Sequence, residues 1–179
     1  FFDTKDIRIT GSNINHVELN RIYESYLNTD FIRRGYPYSY NSDLNGDFIV
    51  RTVEGTEDSD VEADYSWIHF SLSSSKRFEN QELYVYGKFN NYELTEENKM
   101  HFNPSLEIYE AVMLLKQGLY NYKYVTKDSL RLYKNNLSGT HALTENSYLI
   151  LVYYSSLDGR IDSLIGFKEI SSFEIFDWK

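Results

Sequence analysis

Cysteine is absent from this chain, proline occurs twice and glycine nine times in 179 residues. The first absence excludes disulfides and thiolate zinc sites without fixing the cellular compartment, because bacterial envelope proteins often lack the residue. Basic residues are also few: 18 Lys and Arg stand against 27 Asp and Glu, for a net charge of −9 and a pI near 4.9. Phosphate binding needs a basic stripe, and here the basic residues are scattered, so nucleic acid is excluded as a partner and an anionic membrane surface is disfavoured. No run approaches the ~20 apolar residues of a spanning helix; the longest, Tyr148 to Tyr154, has strand length, which reads as a soluble chain. The chain opens at Phe1 with neither an initiator Met nor a signal segment and is expected to be a fragment or a processed product.

Aromatic residues are abundant: 17 Tyr, 11 Phe and 2 Trp within a 41% hydrophobic chain. That suffices for a packed core, and aromatic and β-branched side chains suit a pleated, half-buried surface, so the expected class is all-β. Strands are expected at 66–72, 82–87, 99–103, 108–115, 120–126, 130–133, 148–154 and 163–170, the spacing of a sandwich. Phe1 to Thr10 reads as a strand ending at Gly11-Ser12-Asn13, and 14–27 fits either a helix or strands, with strands preferred. Turns are expected at Asp43–Asp47 with Gly46 at positive φ, at Asn103-Pro104-Ser105, at the Lys116–Leu119 hairpin corner around Gly118, and at Asp158-Gly159. Between Glu54 and Asp64 stand six carboxylates and no base, a solvated connector and expected domain boundary. A calcium loop is the sharper alternative there, although the EF-hand spacing is missing.

Catalytic motifs are missing. His16, His69, His101 and His141 form no zinc-ligand pattern, and no G-x-S-x-G, Walker or dinucleotide fingerprint occurs, so no catalytic residue, metal or cofactor is assigned. The Glu96-Glu97 pair is a poor glycosidase candidate, because adjacent strand residues point to opposite faces. The aromatic rows remain: Tyr84 with Tyr86, Tyr120 with Tyr122 and Tyr124, and Trp67 beside His69 and Ser71. Each is either core or a platform for sugars or a protein partner. The expected inward set is Trp67 or Ile68, Val85, Phe89, Val112, Leu114, Tyr122, Ile150 and Val152.

The run V-Y-G-K-F-N-N-Y at 85–92, then Met100, Tyr109 and G-L-Y-N-Y-K-Y-V at 118–125, resembles the immunoglobulin-like early-set modules that bind glycogen and starch. The resemblance implies an early-set β-sandwich over 63–179, preceded at 1–62 by strands of a truncated β-domain plus the acidic linker. It also implies a carbohydrate site at Tyr92, which stands for the stacking tryptophan, and Lys123. The module's later tryptophan has no counterpart unless Tyr133 replaces it.

A longer series is similar to the plug protein family of the type IX secretion system of the Bacteroidota. It comprises F-F-D-T-K-D-I-R at the start, D-L-N-G-D-F-I-V-R at 43–51, A-D-Y-S-W-I-H-F at 63–70, Y-V-Y-G-K-F-N-N-Y, L-L-K-Q-G-L-Y-N-Y-K-Y-V, T-E-N-S-Y-L-I-L-V-Y-Y and G-R-I-D-S-L-I-G-F. Ser155 and Ile161 replace an arginine and a tyrosine of that family. This resemblance implies the C-terminal part of a non-catalytic periplasmic protein, associated with the outer membrane, that closes an idle β-barrel translocon; docking is expected through loops at one pole of the sandwich. Carbohydrate binding and a plain spacer role are the other readings.

Overall fold

In the computed structural model the described residues are 1–37, 44, 46–53, 58–141, 146–156, 159 and 161–172. The chain is all-β, a sandwich of mixed sheets. Its strands are β1 (Phe2–Asp3), β2 (Ile14–Leu19), β3 (Tyr23–Leu27), β4 (Phe48–Val50), β5 (Tyr65–Ser73), β6 (Glu82–Tyr86) and β7 (Lys99–Asn103). They continue with β8 (Ile108–Lys116), β9 (Gly118–Tyr120), β10 (Lys123–Lys127), β11 (Leu132–Tyr133), β12 (Ser147–Ser155) and β13 (Asp162–Ser171). A short helix, α1 (Ser59–Glu62), lies in the acidic run, whose residues 54–57 fall outside the described set.

Eight strands form one sheet in the order β11-β10-β6-β7-β8-β5-β3-β2, and β1-β9-β4 form a second. Strand β5 alternates strictly, burying Ser66, Ile68, Phe70 and Leu72 and turning the residues between them outward. The core joins Ile68, Phe70 and Leu72 to Leu83 and Val85 of β6, Met100 of β7, Tyr109, Ala111 and Met113 of β8, and Phe2 and Tyr120 of the small sheet. Each large side chain so buried contributes roughly 1.5 to 3 kcal/mol.

Residues 1–62 are not a separate domain. Phe2 and Phe48 both pair with Tyr120, and β3 pairs in parallel with β5, so segments from before and after the expected boundary at 62/63 share sheets and one core. The compact units are instead Phe1–Tyr36 with Tyr40–Gly139, and Thr140–Lys179 with Pro37–Ser39. The second contains the two-stranded hairpin β12-β13. Local composition marks where a linker is solvated; it does not show which strands find each other across it.

Two turn-level expectations change as well. Gly118 is no hairpin corner: the chain leaves the large sheet at Lys116 and enters the small one, held by Gln117, whose Nε2 donates to the Lys5 carbonyl at 2.9 Å. A Cβ on Gly118 would come within 2.4 Å of the Ile49 carbonyl oxygen, so the close approach of β4 requires glycine. The expected strand 120–126 is accordingly split at Asn121 and Tyr122, leaving Tyr120 and Tyr124 in different sheets. Gly46 and Gly159 take positive φ, and Asn103-Pro104-Ser105 turns β7 into β8, as expected.

Tyr120, Tyr122 and Tyr124 are core groups, and burial raises the pKa of each, reinforced at Tyr122 and Tyr124 by the neighbouring Asp30 carboxylate. Tyrosine in the unfolded chain ionises near pH 10 while these stay neutral, so their contribution is complete below about pH 10 and lost above it. Each removes about 1.4 kcal/mol per pH unit over that window. Titration from about pH 9 to about 12 should therefore show tyrosinate absorbance of these groups rising together with loss of β-sheet circular dichroism. Ionisation of all tyrosines with the sheet signal intact would contradict their burial.

Candidate functional site

The outward positions of β5 open onto an exposed sheet face. Trp67 lies opposite Leu114, His69 opposite Val112, Tyr65 opposite Lys116 and Ser71 opposite Glu110 on β8. On the other flank, Glu24 and Tyr26 of β3 stand beside Trp67 and His69, and Glu18 and His16 of β2 continue the two rows. Tyr65, Trp67, Val112 and Leu114 are 38 to 50% exposed, an apolar centre within a polar border. Val112 and Leu114 were expected inside. Strand β8 is apolar at both parities, and Ile68 meets Met113 in register, which turns Tyr109, Ala111 and Met113 inward and the alternate residues out.

Glu24 organises the border. Its carboxylate accepts from Asn20 Nδ2 at 3.0 Å, His69 Nε2 at 2.8 Å and the Tyr26 hydroxyl at 3.3 Å. The Asn20 bond, then the His69 bond, hold its pKa below the usual carboxylate range. The Tyr26 ring stacks on His69 at 4.0 Å and 17° and meets His16 at 5.5 Å, a ring row crossing three strands. His16 lies within β2 and His101 within β7. Among the described residues no three carboxylates or imidazoles converge as a metal site would require.

Of the three carbohydrate candidates, the structure brings two together. Tyr92, at a left-handed φ of 58°, lies 5.1 Å from the Tyr86 ring, and Lys123 is the cross-strand partner of Tyr86. Both are engaged internally: the Tyr92 hydroxyl donates to the Gly46 carbonyl at 3.4 Å, and Lys123 Nζ donates to Asn135 Oδ1 at 3.0 Å. Burial, then the nearby Lys134, lowers the Lys123 pKa. Lys134 Nζ also lies 5.5 Å from the Tyr86 ring centroid. Tyr133 pairs with Thr126, three residues beyond Lys123, and so belongs to the opposite face; Arg131 stacks over its ring at 4.4 Å. Tyr84 and Tyr86 share a face but are buried with Val125 in a satellite core.

Comparison with solved structures then adds a relative. The chain is similar to a hypothetical protein from Parabacteroides merdae ATCC 43184, with a TM-score of 0.81 and 31% identity over 95% of this chain and 43% of that one. The fold has a counterpart in a Bacteroidota species. This chain spans less than half the length of that relative. No family model and no curated protein matches it.

Alternation along β5 had already placed Trp67, His69 and Ser71 on one face. Glu24, Tyr26, Val112 and Leu114 escaped sequence reasoning, because a parallel neighbour and the parity of a strand apolar on both sides leave no local signal.

Proposed function

We propose that this chain is part of a non-catalytic periplasmic plug that binds and closes the outer-membrane translocon of type IX secretion. The observation that carries the reading is the exposed face centred on Trp67, Leu114 and Val112: an apolar centre with a polar border is the anatomy of a protein-binding surface. The ordered series of plug-like segments guides the choice of partner, and the solved relative comes from a Bacteroidota species. On this reading docking uses this face in place of the loop pole expected from sequence. The open cleft at the β5–β6 and β7–β8 loops, about 960 Å³, sets Phe78, Phe102 and Pro104 among the charges of Lys76, Arg77, Glu79 and Glu107.

The acidic border, Glu18, Glu24 and Glu110, suits a basic pore mouth, so docking weakens with salt across the ~8 Å screening length at physiological ionic strength. The test is deletion of the gene in a cell that also lacks the translocon's other closing partner. Increased entry of large antibiotics is the expected result. An unchanged outer-membrane barrier sinks the proposal.

Carbohydrate binding is the second reading, favoured only by the meeting of Tyr92 and Lys123 around Tyr86. A sugar hydroxyl would have to displace Asn135 from Lys123. Calorimetric titration with millimolar maltoheptaose should therefore give no binding heat. Saturable heat abolished by Tyr92→Ala would reverse this preference.

A further inference from the structure

The hairpin β12-β13 carries large apolar side chains on both faces. Register and alternation set Leu149, Leu151, Tyr153, Leu164 and Phe167 on one face and Tyr148, Ile150, Val152 and Tyr154 on the other. All nine are 42 to 75% exposed. A two-stranded ribbon is at best marginally stable alone in water, and strands apolar on both sides are those that normally lie buried. We propose that this hairpin is a self-association site, covered in solution by the same hairpin of a second copy of the chain.

The contacting face is that of Leu151 and Phe167. Its central cross-strand pairs Leu151–Phe167 and Tyr153–Leu164 are apolar on both strands, with Leu149 against Glu169 and Ser155 against Asp162 towards its ends, whereas the other face has one wholly apolar pair, Tyr148–Ile170, and sets Ile150 against Lys168, Val152 against Gly166 and Tyr154 against Ser163. With roughly 200 Å² of surface per large side chain and about half of it free, five residues offer roughly 500 Å² per copy. The total of about 1,000 Å² reaches the ~1,000 Å² expected of a specific interface. Charge is sparse here: in a chain of net charge −9 the contacting face carries only Asp162 and Glu169, opposite Ser155 and Leu149 towards its two ends, with Lys168 on the other face, so two hairpins meet with little of the repulsion that the remaining acidic surface imposes. The contact is isologous, each copy offering the same face.

Sedimentation of the 179-residue chain over a nanomolar to high-micromolar range tests this. A concentration-dependent monomer–dimer equilibrium is expected. Leu151→Lys with Phe167→Lys should weaken it at least about tenfold, and so should Leu151→Glu with Phe167→Glu. Mixing the Lys and Glu variants should restore association, which a merely structural role for these residues would not do. Trp67→Ala, on the face proposed for the translocon, should leave the equilibrium unchanged, so the two surfaces are separable. A chain that stays monomeric at every concentration overturns the proposal. A dimer that both hairpin variants leave intact overturns it equally.

Discussion

Replacing Phe2 with alanine is expected to destabilise the first unit by about 3 to 5 kcal/mol, the range for removing a buried phenylalanine. The ring is completely buried one residue from the start of the chain. It stacks on Tyr120 at 5.1 Å, meets Phe70 edge-on at 5.7 Å and lies 5.8 Å from Tyr122, so its loss opens a cavity bordered by both sheets. Rings and backbone of this kind relax only partly into such a space. With a total stability of about 5 to 15 kcal/mol, the loss is a large share. In urea, at a slope of about 2 kcal/mol per molar, the midpoint should fall by roughly 1.5 to 2.5 M. Were residues 1–62 an independent domain, the change would leave the unfolding of β5 to β10 where it is; a midpoint unmoved for the Trp67 signal would restore that view.

Asp30→Ala should cost about 2 to 4 kcal/mol, because it removes the shared acceptor of two buried phenols at once, leaving the Tyr124 hydroxyl only the longer bond to the Ser71 carbonyl at 3.4 Å. Tyr122 and Tyr124 both donate to Asp30 Oδ2, at 2.7 and 2.8 Å, and Asn13 Nδ2 donates to the Tyr122 hydroxyl at 2.9 Å. The backbone of Asp30 bridges to β5 through Ser71 and Ser73, bonds the substitution keeps, so the loss reports the side chain. Asp30→Asn retains an acceptor oxygen and should recover most of the stability. Adding Tyr122→Phe to Asp30→Ala removes one stranded hydroxyl, so the double variant should be more stable than the sum of the single effects implies. Additive thermal midpoints would mean that the network does not act as a unit.

Much of the fold was legible beforehand. Strands β5, β6, β7, β8, β12 and β13 lie within a residue or two of the expected spans, because alternation and turn chemistry are properties of neighbouring residues. Ile68, Val85, Phe89 and Tyr122 join the core as expected. Strand β8 does not follow its expected parity, since Val112 and Met113 are both apolar and only pairing with β5 selects which turns inward. Ile150 and Val152, also expected inside, are exposed on the hairpin. Their strand is apolar at every position from Tyr148 to Tyr154, so its sequence specifies burial without naming a face.

The carbohydrate trio shows the same division. Tyr92 and Lys123, 31 positions apart, meet at Tyr86 because β6 and β10 pair, and Tyr133 falls on the other face because β11 joins β10 opposite Thr126. Sequence alone settled the all-β class, most strand positions, the acidic character and the lack of a catalytic motif, since each depends on composition or on residues close together in the chain. Only tertiary structure decided that residues 1–62 complete the same core, that Gly118 passes the chain between sheets, and that Glu24, Tyr26, His69, Trp67 and Leu114 share one exposed face. Those outcomes depend on which distant strands pair and in what register, and a one-residue slip of register exchanges the buried face for the solvent face.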